Sequence, residues 1–256
     1  MNETIRVFIG YDRAEISAFH TLSHSILEKA SQPVSITPVM LSQLKHCYSR
    51  TTDKLASTEF SFSRFLVPYL AGYEGWAIFM DCDMLCRADI AELWLQRDEQ
   101  YAVQVVKHEH KPANRTKFND NIQTRYAMKN WSSVMLMNCS RCKNLSVEYV
   151  NQASGLELHQ FKWLDNQEQD VGTIDHRWNH LVGYDLYDGQ CALAHFTEGG
   201  PYFNTYRECD YALEWLATQE RMNSVVDASC EPAKVDLTTT PPVNSLTPES
   251  GTHVTQ

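Results

Sequence analysis

No charged stem followed by an apolar core opens this sequence, and no window of about 20 residues is continuously apolar. Neither a signal peptide nor a membrane span is therefore expected, and the expected location is cytoplasmic. Basic residues are also scarce. The 22 Lys and Arg stand against 32 Asp and Glu, a formal net charge of -10, so the electrostatic footprint of a nucleic-acid or anionic-lipid binder is missing. Any phosphate bound here must be met by a few local groups. Internal repeats are absent as well, which sets aside solenoid and propeller architectures.

What is present is a chain of 256 residues, 43% of them hydrophobic, enough for one principal core with lobes inserted into it. The eight cysteines, without a secretory context, read as reduced buried thiols. The spacings Cys82/Cys86 and Cys139/Cys142 make weak zinc signals, and a disulfide is no better supported. Residues 1–222 are expected to form the folded domain. From 235 to 256 the sequence "VDLTTTPPVNSLTPESGTHVTQ" is rich in Thr, Pro and Ser and holds no aromatic residue, the composition of a disordered tail.

Residues 4–9, "TIRVFI", read as a first strand that turns at "GYD". Asp12 and Glu15 have the spacing of a capping box, and Ile16, Phe19, Ser23, Ile26, Leu27 and Ala30 recur at helical intervals. "VSITPVML" (34–41) suits an edge strand because of Pro38. Residues 58–70 predict a helix, and "WAIFMD" then predicts a strand apolar on both faces, hence a central one. Further strands are expected at 101–106, 132–138 and 191–196, and an amphipathic helix at 205–222 that turns Tyr206, Leu213 and Leu216 inward. The alternation is that of a layered α/β sheet. Residues 107–131 and 151–190 show no clean period and read as functional loops.

Chemistry concentrates where the central strand ends, in "FMDCDM". Residues i and i+2 of a strand share a face, so Asp81 and Asp83 can converge on one cation, while Cys82 between them points away. Hard oxygen ligands suit Mg²⁺ or Mn²⁺. His195, at the end of an apolar run, is a candidate third ligand, and Gly199 with Gly200 would let backbone N–H groups approach phosphate oxygens. Arg64 is a lone cation in an aromatic and aliphatic stretch, fit either for a phosphate or for a buried ion pair. Gly10, Tyr11 and Asp12 close the first strand and could cradle a base or ribose, or simply cap a helix.

In this order "VFIGYD", "SFSRFL", "IFMDCDM" and "HFTEGG" resemble glycosyltransferase family 8, the group of glycogenin and bacterial lipopolysaccharide hexosyltransferases, from about Ile5 to Phe203. The resemblance implies a GT-A fold, with a Rossmann-like mixed sheet flanked by helices in a single domain with loop insertions. It also implies transfer of a hexose from a UDP-sugar to a hydroxyl acceptor of unknown identity, with retention. The Mn²⁺ or Mg²⁺ ion would be held by Asp81, Asp83 and His195. The donor set it implies is Gly10, Tyr11, Asp12, Arg64, Asp81, Cys82, Asp83, Ser132, Ser133, Gly199 and Gly200. "NWSSVMLMN" matches the strand that lines the donor sugar, with Ser132 and Ser133 where the family usually has Asn and Gly. No Lys follows "HFTEGG", so either Arg64 or a lid residue such as Lys107 or Lys117 serves the diphosphate, or the donor is held differently. In "WLDNQEQD", Asp165 is the first choice for the acid near the anomeric carbon and Glu168 the second. Two other readings stay open: a phosphatase of the haloacid dehalogenase type, and a domain that binds a nucleotide sugar without turnover.

Overall fold

The computed structural model describes residues 3–50, 58–108, 128–187 and 189–224. Met1–Asn223 form one compact unit, and of the second unit, Ser224–Gln256, only Ser224 is described. The expected tail at 235–256 and Lys117 therefore lie outside the described residues. In chain order the elements are β1 (Ile5–Gly10), α1 (Ile16–Lys29), β2 (Val34–Val39), α2 (Val67–Leu70), β3 (Trp76–Met80), β4 (Met84–Cys86), α3 (Ile90–Trp94), β5 (Val103–Val105) and β6 (Val134–Asn138). They continue with α4 (Val147–Gln152), α5 (Gly155–His159), α6 (Gln167–Asp170), β7 (Val171–Thr173), β8 (His180–Leu181), β9 (Leu193–His195) and α7 (Ala212–Asn223).

Six strands form a mixed sheet in the order β2-β1-β3-β6-β5-β7. β1 runs parallel to both β2 and β3, β6 runs antiparallel to β3 and β5, and β7 is parallel to β5. Every residue of β3 is buried, as expected of a strand with no polar alternation. Pro38 sits opposite Ile9 on β2, the edge strand, where a missing N–H interrupts no inner ladder. A second sheet, β4-β9-β8, stands beside the first. It carries its own small core of Leu85, Val182, Cys191, Ala194, Phe196, Tyr211 and Trp215. The chain passes from β3 directly into β4, so residues 81–83 are the crossing between the two sheets.

Several local expectations are corrected. Residues 58–70 do not make one regular helix: a 3-10 turn over Ser63–Leu66 leads into the single α-turn of α2. Pro68 has no N–H to return to the Arg64 carbonyl, and the Ser61 hydroxyl takes the Thr58 carbonyl, so the ladder is broken twice. The capping box before α1 does not form. Asp12 instead accepts from the Ala14 N–H at 2.8 Å and the Glu59 N–H at 3.0 Å. Ile16 and Leu27 are exposed, and α1 buries Ala18, Phe19, Thr21, Leu22, Ser25 and Ile26. α7 starts only at Ala212, so its inward positions are Ala212, Trp215 and Thr218, while Leu213 is 84% exposed. The segment 151–190 is not a bare loop, because it contains α5, α6, β7 and β8.

The seven described cysteines are free thiols, six of them buried, and burial pushes the Cys86 thiol up to about 12. No described helix is long and apolar enough to cross a membrane.

Candidate active site

The site is built by the crossing from β3 to β4. Ladder bonds hold it on both sides: the Asp81 N–H donates to the Ser133 carbonyl at 2.9 Å, and the Phe196 N–H donates to the Asp83 carbonyl at 2.8 Å. β4 and β9 pair with Met84 opposite His195, which brings the imidazole next to Asp83. One ligand atom from each of Asp81, Asp83 and His195 lies within 4.8 Å of the others. His195 lies more than 100 residues from the two aspartates in sequence, and the antiparallel return of β9 brings it to them.

His195 is buried, and the orientation of its ring is set by its neighbours. The Asn179 side-chain NH₂ donates to the Asn130 carbonyl at 3.0 Å and to the Ser133 hydroxyl at 3.2 Å. A backbone carbonyl only accepts, so the other end of the amide, Oδ1, is the atom 2.9 Å from His195 Nδ1. His195 must therefore donate from Nδ1. In the neutral ring this leaves the Nε2 lone pair directed at Asp83 Oδ2, 3.4 Å away. Two electron-rich atoms at that distance call for a positive charge between them, a proton or a metal ion. Two carboxylates and one oriented imidazole nitrogen make a donor set that fits a divalent cation.

Arg64 is the cation already in place. Its Nη1 lies 2.7 Å from Asp81 Oδ1 and donates to the Ser132 carbonyl at 2.9 Å. The guanidinium lies against the rings of Phe60 and Phe79, 5.2 and 5.1 Å from their centroids. Of the two roles open to this arginine, the buried ion pair is observed. Lys107 donates to the Val171 carbonyl at 2.7 Å and faces the Trp131 ring.

Glu15 is a member of this neighbourhood that reads in sequence only as a helix-capping residue. Its carboxylate accepts from the Cys82 thiol at 3.4 Å. Burial first, and then the negative charge of Asp83, Asp12 and Asp81, pushes its carboxyl up to about 8. Burial and the charge of Asp83 and Glu15 also push the Tyr202 phenol well above its ordinary range. One buried arginine thus faces a crowd of acids.

Gly10, Tyr11 and Asp12 stand at the carboxyl end of β1, beside the end of β3. A Cβ on Gly10 would lie 2.3 Å from the Phe60 ring, so the glycine is required by that close approach. Gly10→Ala should cost about 1–3 kcal/mol, the usual penalty of overpacking, read as a lower midpoint of chemical denaturation. Gly199 has φ 134, and its Cβ would meet the Tyr206 ring at 2.6 Å. Its N–H donates to the Phe196 carbonyl at 2.8 Å. Ser132 and Ser133 are buried in the turn before β6, with the Ser132 hydroxyl 2.7 Å from His159 Nδ1.

Asp165 and Glu168 are exposed, the first just before α6 and the second within it. Trp163 and Trp178 are core residues, whereas Trp131 is half-buried and donates to the His108 carbonyl at 3.0 Å.

Burial, and after it the charge of Arg64, lowers His159 to about 3, so its ring is neutral in the fold. An unfolded histidine protonates near 6.5. Below that value the unfolded chain takes up a proton that the folded chain refuses, and stability falls as pH drops from about 6.5 toward 3. Urea midpoints measured across this window should decline in the wild type and decline less steeply in His159→Gln.

A central mixed sheet flanked by helices, with an acidic pair at the carboxyl end of its central strand, is the GT-A glycosyltransferase fold. The WbbM bifunctional glycosyltransferase superposes with a TM-score of 0.57 at 12% identity, covering 86% of this chain and 50% of its own. The galactosyltransferase LgtC, in complex with donor and acceptor sugar analogs, superposes with a TM-score of 0.53 at 11% identity, covering 87% of this chain and 98% of its own. The chain therefore spans half of the first of these proteins and nearly all of the second. In sequence it is 43% identical over 238 residues to Protein CDI of Arabidopsis thaliana, covering 90% of this chain and 91% of that one. The chain belongs to the family of Protein CDI. No family model matches it.

Proposed function

We propose that this protein is a metal-dependent glycosyltransferase of the family 8 type, moving a hexose from a UDP-sugar to a hydroxyl acceptor with retention of configuration. The observation that carries the reading is the His195 imidazole, fixed by Asn179 so that Nε2 faces Asp83 beside Asp81. Among the ions that this donor set fits, Mn²⁺ and Mg²⁺ match its carboxylate content.

Asp81, Asp83 and His195 would hold the ion, which when bound supplies positive charge beside a departing diphosphate. The chain's own residues do the rest. Arg64 neutralises one carboxylate and keeps it pointed into the site. Gly10, Tyr11 and Asp12 offer the base or ribose a place at the end of β1, and Ser132 and Ser133 line the sugar side. Asp165, or failing it Glu168, stabilises positive charge developing on the sugar ring. The acceptor hydroxyl can pass its proton to the leaving phosphate, so no histidine base is needed.

UDP with Mn²⁺ should raise the melting temperature. Incubation with a panel of UDP-sugars should release UDP, with the product anomer identified by NMR. If phosphatase substrates are hydrolysed while UDP and Mn²⁺ leave the melting temperature unchanged, the reading fails in favour of a phosphatase. Binding of UDP-sugar without any consumption, even by water, favours a binding domain. Asn179→Ala should weaken Mn²⁺ binding about 10- to 100-fold, as loss of an orienting partner does elsewhere, measured by EPR titration of free Mn²⁺.

A further inference from the structure

A second group of side chains with ligand chemistry lies on the other side of the turn that carries Asn179. His108, His176 and Asp185 each direct one ligand atom to within 4.8 Å of the other two. The 3-10 turn His176–Asn179 supplies His176 at its start and the His195-orienting Asn179 at its end. The His108 and His176 rings meet edge to face at 5.1 Å, and His176 Nε2 lies 3.6 Å from Asp185 Oδ2.

The informative member is His108. The residue is only 9% exposed, and its Nε2 is buried with no hydrogen-bond partner among the described residues. A buried nitrogen without a partner costs about 1–3 kcal/mol, so its presence asks for an occupant. Hydrogen bonds hold the backbone around it: the His108 N–H donates to the Val106 carbonyl, and its own carbonyl accepts from Trp131 Nε1. The backbone of Asn179 offers its ring a hydrogen-bond acceptor, which leaves Nε2 as the nitrogen available to a ligand. Asp185 is equally held, since its Oδ2 accepts from the Leu181 N–H at 2.7 Å. A simple ion pair between Asp185 and a protonated, largely exposed His176 accounts for those two residues but leaves the His108 nitrogen unexplained.

We propose that His108 Nε2, His176 Nε2 and the Asp185 carboxylate form a second cation site, selective for a zinc-class transition metal. Two imidazoles and one carboxylate are nitrogen-rich, unlike the carboxylate-rich cluster of Asp81, Asp83 and His195, so the two sites select different ions. Around a tetrahedral ion with bonds of about 2.1 Å, neighbouring ligand atoms stand about 3.4 Å apart. The 3.6 Å between His176 and Asp185 is close to that spacing, and the exposed His176 can move to close the rest. Three protein ligands leave the fourth position of a tetrahedral ion to another donor, such as water. The site is separate from the glycosyltransferase reading and does not depend on it.

The test uses the full chain carrying Asp83→Asn, which removes the first site. Zn²⁺ titrated against a chromophoric chelator should show one equivalent bound, and Co²⁺ should give the strong visible bands of a tetrahedral complex without near-ultraviolet thiolate charge transfer. Adding His176→Asn, an exposed substitution that leaves the core intact, or Asp185→Asn, which can still accept from Leu181, should weaken Zn²⁺ binding at least about 100-fold. Zn²⁺ binding that survives both substitutions, that vanishes with Asp83→Asn alone, or that brings a thiolate signature overturns the proposal.

Discussion

Asp83→Asn is expected to abolish cation-dependent donor binding while leaving the fold intact. Asp83 Oδ2 lies 3.4 Å from the His195 nitrogen that carries a lone pair, and an asparagine NH₂ can donate to that nitrogen. The substitution also removes one negative charge from a crowd in which Asp83 is the largest electrostatic cause, after burial, of the raised Glu15 carboxyl. Stability should therefore hold or rise. Mn²⁺ affinity should fall by more than the 10- to 100-fold expected for loss of an orienting neighbour, because a direct ligand is gone. EPR titration of Mn²⁺ and calorimetry with UDP measure the loss, and a melting curve checks the fold. Mn²⁺-dependent UDP binding that persists in Asp83→Asn would remove Asp83 from the site.

Arg64→Met is expected to have the largest effect on stability, about 3–5 kcal/mol, read from denaturant midpoints. Arg64 and Asp81 are both largely buried, with side-chain exposures of 6% and 13%. Removing the cation leaves a buried carboxylate without its partner and adds its repulsion to Asp83, Asp12 and Glu15. The Ser132 carbonyl loses a donor at the same time. The double variant Arg64→Met with Asp81→Asn should recover part of the loss, because the stranded charge is then gone. Effects that simply add would mean that Arg64 acts by filling space against Phe60 and Phe79 and not by charge.

The two variants separate stability from binding at adjacent aspartates. Asp81 is tied to Arg64 and so to the core, whereas Asp83 faces His195. A motif of two like residues thus hides two unlike roles, set by which neighbour each meets.

Much of this is legible in the sequence. The β3 run from Trp76 to Met80 has no polar alternation and is a central strand, because a strand buried on both faces needs apolar side chains on both. The Asp81 and Asp83 pair at its end and the strand carrying His195 were also legible, since strand pattern and residue chemistry are local. Failures arose where a local rule met competition. Helical spacing at 58–70 is overruled by Pro68 and by the Ser61 hydroxyl, which takes the Thr58 carbonyl. In α7 the inward face is that of Ala212, Trp215 and Thr218, one position before the face of Leu213 and Leu216, so Leu213 lies in solvent.

The sequence by itself determined the α/β alternation, the central strand and the candidate ligands, because propensity, periodicity and residue chemistry operate over a few positions. Only the tertiary structure decided which residues meet. The 2-1-3-6-5-7 sheet, the second sheet beside it and the return of β9 against β4 brought His195 to Asp83 across more than 100 residues. The tautomer of that histidine rests on Asn179, and the state of Asp81 rests on Arg64. Neither partnership leaves a mark in local sequence. A side chain's charge and hydrogen-bonding role depend on what folding packs beside it.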